Sequence, residues 1–231
     1  MPRPQRITSL APSRARGRAW ALGALAVLMA ALVAGALVAS DLLRQHDDRG
    51  AVTGTDLHGN TVQLDPDSGL TPKLVQEMDA VVDTGERFTV PSVGLDVPLG
   101  SLDMVHDTIT PPGFSSAYFV RNLGVAPGSA TSTAGTVFVA LHSLRGGGVG
   151  PGNYLIDVDT GRSRVADGAT ITVAGIDYTV TGSRVIGKQE LPGAADVWAN
   201  TPGKLVVITC LQRPDGRAST QNMVITAQLA H

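Results

Sequence analysis

The sequence predicts an all-β domain, and two observations carry that prediction. From Arg87 onward the chain is a series of short β-prone runs cut by Gly, Pro and Asp, with no long helical pattern between them. The core also has few aromatics to draw on: only four Phe, two Trp and three Tyr occur, so Val, Leu, Ile and Ala must fill it. That palette favours strands. Their spacing, with no internal repeat, argues for a closed or nearly closed barrel rather than a βαβ sheet.

The expected strands lie near Arg87–Val93, Ala117–Phe119, Thr136–Ala140, Asn153–Val158, Thr170–Val173, Ile176–Lys188, Lys204–Thr209 and Asn222–Gln228. Asp159-Thr-Gly161 and Ala174-Gly175 are compact turn signals of the kind that join antiparallel strands. Before the barrel, Val52 to Leu64 alternates around His58-Gly59-Asn60 and predicts a small hairpin. Thr71-Pro72 pairs an N-cap with a first-turn proline. Leu74, Val75, Met78, Val81 and Val82 follow at helical spacing, which predicts a short helix ending near Gly85.

The first forty residues direct the chain out of the cytoplasm. Arg3, Arg6, Arg14, Arg16 and Arg18 precede an uncharged run from Ala19 to Ser40, and no acidic residue occurs before Asp41. A helix of that length spans about 30 Å, enough to cross a bilayer core. The expected organisation is a basic cytoplasmic tail (1–18), a transmembrane signal-anchor (19–40), an extracellular stalk (41–85) and a folded domain (86–231). A cleaved signal peptide, with Ala34-Gly35-Ala36 as its small-residue site, is the alternative. The basic flank stays inside by the positive-inside rule, which puts the domain outside. Formal charge is −2. Beyond the membrane there is no basic stripe or aromatic stacking set, so no nucleic-acid partner is expected.

Export makes Cys210 informative. It is the only cysteine of the chain, and exported cysteines usually pair. A lone one is a buried filler, an intermolecular crosslinker or a reactive thiol. It ends the apolar run Lys204-Leu-Val-Val-Ile-Thr-Cys210. A reactive thiol needs a proton acceptor or a positive neighbour. His46 and His231 lie in the stalk and at the terminus, His58 in a turn and His106 in a polar stretch. His142 differs, because it follows Thr136-Val-Phe-Val-Ala-Leu141 and precedes the glycine-rich loop Ser143-Leu-Arg-Gly-Gly-Gly-Val-Gly-Pro-Gly152. A strand exit facing such a loop is a natural cleft edge.

Other chemistries fit poorly. One cysteine and histidines without ligand spacing make no zinc site. No Gly-x-Ser-x-Gly elbow occurs. Gly146-Gly-Gly148 lacks the Lys-Ser/Thr of a phosphate loop, and Asp157 with Asp159 lacks the rest of a calcium loop. No metal or cofactor is expected.

Three segments resemble the sortases, cysteine transpeptidases of Gram-positive cell surfaces. Leu205-Val-Val-Ile-Thr-Cys210, preceded by Trp198-Ala-Asn-Thr-Pro-Gly203, is similar to the family's strand ending in Thr-Cys. Val137-Phe-Val-Ala-Leu-His142 is similar to the strand that delivers its histidine, and Phe88-Thr-Val-Pro-Ser-Val-Gly-Leu-Asp-Val97 to its opening strand and turn. The resemblance covers Glu86 to His231 and implies an eight-stranded barrel. It implies that Cys210 attacks a Leu-Pro-x-Thr-Gly-like sorting motif at the C-terminus of a surface protein. The acyl group then passes to a cell-wall precursor or pilin amine, with peptidase activity when no amine is present. His142 would move protons, Thr209 would help order the site, and Leu191, Pro192, Val197 and Trp198 would contact the peptide. Packing back on the barrel is the equal alternative for those loop residues.

The chain departs from the family in one respect. An arginine is expected near the start of the strand after the nucleophile, where Thr220, Gln221 and Asn222 stand. Arg217 is the preferred substitute because its loop position lets a long side chain reach back; Arg213 and the amide of Asn222 are the others. The competing reading of the chain is a non-catalytic sortase-like surface module for binding or assembly. A plain cysteine endopeptidase would share the thiol and histidine and differ only in acceptor.

Overall fold

The computed structural model describes residues 53–63, 70–128 and 130–230. The basic tail, the 19–40 run and the first part of the expected stalk lie outside the described residues. Among the described residues no helix is long and apolar enough to cross a membrane.

A small hairpin comes first, β1 (Thr53–Thr55) against β2 (Thr61–Gln63). Helix α1 (Pro72–Glu77) follows, and Thr71 caps it by accepting from the Leu74 N–H at 3.1 Å. The helix is shorter than its apolar spacing predicts. Asp79 turns the chain with φ 44°, and the β-branched pair Val81–Val82 enters β3 (Val81–Val90) instead. Arg121 pins the end of α1 to the barrel: its guanidinium donates to the carbonyls of Met78 and Asp79 and to the Asp103 carboxylate.

The remaining barrel strands are β4 (Leu95–Leu102), β5 (Ala117–Gly124), β6 (Thr136–Ala140), β9 (Thr170–Val173), β10 (Ile176–Gly187), β11 (Lys204–Leu211) and β12 (Gln221–Leu229). Eight strands close in the order β10-β12-β11-β6-β5-β4-β3-β9. The expected all-β barrel is therefore present. Closure removes the free edges that an open sheet would expose. Two neighbouring pairs, β4 with β5 and β6 with β11, run parallel.

The expected strand list needs two corrections. Asn153–Val158 is not a strand. Pro151 starts a short helix, α2 (Pro151–Leu155), and the Asn153 carboxamide accepts from the Gly150 N–H at 2.9 Å. Only Ile156–Asp157 is extended, as β7, paired with β8 (Arg162–Ser163) across the Asp159-Thr-Gly161 turn. Strand β4 has no counterpart among the predicted runs, because Pro98 and Gly100 interrupt its alternation. Pro98 is tolerated because it lies ahead of Leu99, where the parallel pairing with β5 begins.

Alternation sorts each strand onto two cores. Val137 and Val139 of β6 with Leu141 just beyond it, Leu205, Val207 and Leu211 of β11, and Met223, Ile225 and Ala227 of β12 fill the barrel. Phe138, Val206 and Val224 belong to a second cluster outside it, with Met78, Phe114 and Val197. The residues of this outer phase lead to the site.

Candidate active site

Parallel pairing of β6 and β11 decides the geometry. Ala140 stands opposite Ile208, and the Leu141 N–H still donates to the Ile208 carbonyl at 3.1 Å. Two residues further along each strand come His142 and Cys210. Both share the outer phase of their strands, with Phe138 and Val206. On the other side of Cys210, antiparallel β12 places Asn222 directly opposite, and Ile186 of β10 stands opposite Asn222. His142, Cys210, Asn222 and Ile186 thus form a row across four adjacent strands.

This row borders an open groove of about 1610 Å³. Its walls come from the β4–β5 loop (Asp107 to Pro111), the loop after His142, the β10–β11 connection (Lys188 to Pro192, and Trp198) and the hairpin strand Thr61–Gln63. Leu191, Pro192 and Trp198 line it. Trp198 is held by its indole N–H, which donates to the Leu191 carbonyl at 2.7 Å, and by Phe138 with ring centroids 5.7 Å apart. Val197 of helix α3 (Ala195–Trp198) is buried beneath this wall.

His142 is 8% exposed and Cys210 is half-buried. The His142 Nε2 lies 2.6 Å from the Pro111 carbonyl. A carbonyl only accepts, so Nε2 carries the hydrogen, and in the neutral ring Nδ1 is left with the basic lone pair. Phe114 packs on the same ring, with centroids 5.4 Å apart. Burial pushes the imidazole pKa below its ordinary value of 6.5, the Pro111 bond works against that, and the nearby Lys188 charge lowers it further. His142 is therefore neutral at pH 7 and able to take a proton.

Polar contacts lock the two strand exits together. The Ser143 hydroxyl donates to the Cys210 carbonyl, and the Gln212 amide donates to the Ser143 carbonyl and hydroxyl at 2.8 and 3.0 Å. Asn153 holds the loop after His142 by bonding both the N–H and the carbonyl of Leu144. Thr209 is 2% exposed, in the opposite phase to Cys210, and its hydroxyl is buried against Gly152 without a hydrogen-bond partner among the described residues. A Cβ on Gly152 would collide with Thr209 Oγ1.

The preferred arginine is not brought to the groove. Arg217 is 72% exposed and bonds Asp215 at 2.7 Å, and Arg213 bonds the same carboxylate at 2.8 Å. Neither lines the groove; the cations that do are Arg145 and Lys188. The loop after Cys210 is closed on itself by Asp215, so a longer loop gave Arg217 no reach. Asn222, the third candidate, lines the groove and is 8% exposed.

Sequence reasoning also missed how much of the expected stalk belongs to the site wall. Asp56 accepts from the N–H groups of Val149, Asn60 and His58, and these bonds, led by that from Val149, lower its pKa to about 2 against the smaller cost of burial. Leu57 donates to the Val149 carbonyl at 2.9 Å. Gly54 lies so close to Phe114 that a Cβ there would be 2.5 Å from its ring. The hairpin thus rests on the ring that packs against His142. The signal for this was Asp56-Leu-His-Gly-Asn60, an Asx-type turn whose carboxylate has capacity beyond its own loop.

No family model matches the chain, and no curated protein matches it. Among solved structures it is similar to sortase A of Listeria monocytogenes, at 21% identity over 63% of this chain and 86% of that one, with a TM-score of 0.44. It is also similar to a pilus-related sortase C of Group B Streptococcus, at 14% identity over 63% and 66%, with a TM-score of 0.45. A lid mutant of sortase A from Corynebacterium diphtheriae matches at 15% identity over 68% and 74%, with a TM-score of 0.44. At these identities the likeness assigns neither chemistry nor residues.

Proposed function

We propose that this protein is a sortase-type cysteine transpeptidase. The observation that carries the reading is the register of β6 and β11, which brings a neutral, oriented histidine and the chain's only thiol to one groove. His142 Nδ1 takes the Cys210 proton, and the thiolate adds to a backbone carbonyl carbon of an extended peptide. The tetrahedral adduct collapses as the C–N bond breaks. The imidazolium gives its proton to the leaving amine, and a thioester remains on Cys210. An incoming amine loses a proton to His142 and attacks the thioester; a new amide forms and the thiol is released.

The substrate in this reading is a surface protein with a C-terminal Leu-Pro-x-Thr-Gly-like motif, and the acceptor is a cell-wall or pilin amine. The apolar wall of Leu191, Pro192 and Trp198 suits the motif's first residues. Residues 19–40 anchor the chain in the membrane with the barrel outside. Water replaces the amine when no acceptor is present, giving peptidase activity.

The test is to cap the thiol of the full-length chain in detergent with a methanethiosulfonate and assay cleavage of an internally quenched Leu-Pro-Ala-Thr-Gly peptide, with and without triglycine. Loss of cleavage on capping, and a ligated product when triglycine is added to the uncapped protein, are expected. Cleavage that survives full modification of Cys210 contradicts the reading. An uncapped protein that is inert favours the binding or assembly module.

A further inference from the structure

Addition of a thiolate to a carbonyl puts negative charge on the oxygen, and a transferase of this kind needs a donor aimed at it. The groups around Cys210 narrow the choice. Arg213 and Arg217 are both engaged by Asp215 and do not line the groove. Thr209 faces Gly152, on the other side of the strand. Lys188 lines the groove and its charge acts on His142, but its backbone lies two residues beyond Ile186, past the residue row that contains Cys210. Arg145, the other cation of the groove, donates to the Gly216 carbonyl at 3.2 Å, and Asn222 is the groove-lining donor that stands directly opposite Cys210.

We propose that the Asn222 side-chain amide donates to the carbonyl oxygen of the bond that Cys210 attacks, as an uncharged oxyanion donor and a catalytic residue of this enzyme. The inference rests on the transpeptidase reading above. Asn222 is directly opposite Cys210 in the antiparallel pairing of β11 and β12. Side chains at such positions begin about 4.5–5.5 Å apart, so an amide at Cγ reaches an oxygen bonded to the carbon on Sγ. The side chain shares the outer phase with Cys210, lines the groove and is 8% exposed. Its neighbours in sequence are committed to the barrel: Met223 packs inside, and the Gln221 N–H and carbonyl are engaged by Ser219. No hydrogen bond to the Asn222 amide occurs among the described residues, so both its N–H groups are available to a substrate.

An uncharged donor has a consequence that a guanidinium lacks. It stabilises the oxyanion without lowering the pKa of Cys210 or His142 through its own charge, so its loss changes acyl transfer and leaves the ground-state reactivity of the thiol alone.

Asn222→Ala, Asn222→Leu and wild type are compared in the full-length chain on two reactions: turnover of the quenched Leu-Pro-Ala-Thr-Gly peptide, and alkylation of Cys210 by iodoacetamide, which forms no oxyanion. Asn222→Ala is expected to lower kcat by about 10²–10³-fold with KM nearly unchanged, while alkylation proceeds at the wild-type rate. Asn222→Leu, which keeps the shape without a donor or a charge, is expected to lose as much; it carries the test if the alanine variant fails to fold. Wild-type turnover in either variant overturns the inference and leaves the transpeptidase reading standing. Equal losses in both reactions overturn it too, since Asn222 would then only position Cys210. A wild-type protein that does not cleave the peptide overturns both.

Discussion

His142 gives its Nε2 hydrogen to the carbonyl of Pro111, 2.6 Å away, and that single bond selects which nitrogen can serve as a base. The loop between β4 and β5 is thereby part of the proposed chemistry. It fixes the tautomer, and Phe114 from the same loop holds the ring plane.

The pH dependence follows from the environment of that ring. Burial first and Lys188 second lower the His142 pKa below 6.5. The neutral base therefore persists to pH values below 6.5, and activity that needs it falls only as pH drops through the lowered value. Lys188→Gln removes a like charge and moves the limb to higher pH. The check is the His142 imidazole titration by NMR; an unchanged midpoint in the variant excludes the Lys188 contribution.

The hairpin clasp titrates separately. The Asp56 pKa is lowered to about 2, chiefly by the Val149 N–H bond. For a depressed carboxylate the stabilisation is fully present above about 3.8 and is lost as pH falls toward about 2. Asp56→Ala at neutral pH should speed hydrogen exchange at the Val149, Asn60 and His58 amides while barrel amides stay protected. Unchanged exchange at Val149 would mean that the Leu57 bond alone holds the hairpin.

Gly152 is expected to tolerate no side chain. A Cβ there meets Thr209 Oγ1, the Ser143 nitrogen at 2.8 Å and the His142 carbonyl carbon at 2.9 Å. Backbone cannot yield as a flexible side chain does, so Gly152→Ala should cost about 1–3 kcal/mol and displace His142. Thermal unfolding and turnover together check this; a variant with unaltered Tm and kcat contradicts it.

The outer cluster supports the groove wall. Phe138 is 1% exposed and lies under Trp198. Phe138→Ala should destabilise the fold by about 3–5 kcal/mol and raise KM for the peptide, because Trp198 loses its backing. Denaturant unfolding and steady-state kinetics separate the two effects.

Much of the site was legible in the sequence. Cys210 and His142 end apolar runs whose lengths are those of β11 and β6 to within two residues, and a thiol alone in a chain expected to be exported asks for a partner. The barrel was legible from turn chemistry, as at Ala174-Gly175, where both residues take positive φ between β9 and β10. What failed did so where tertiary pairing overrides local pattern. Val81 and Val82 fit a helical period but pair or lie on a strand, and β4 hides behind Pro98 and Gly100. Arg217 was judged on loop length, and a neighbouring Asp215 captured it. Asn222 was visible as a residue type, but only the register opposite Cys210 gives it a place. The long reach of Asp56 went unread, because its partner Val149 is an amide with no sequence signature.

The account stands on Cys210 and His142 working as a pair. Intact-protein mass spectrometry after mixing the full-length chain with a Leu-Pro-Ala-Thr-Gly peptide reads this directly. A mass increase equal to the acyl fragment, mapped to Cys210, released by hydroxylamine and absent in His142→Ala, is the predicted result. Peptide cleavage with no adduct on Cys210, or full adduct formation in His142→Ala, would contradict it.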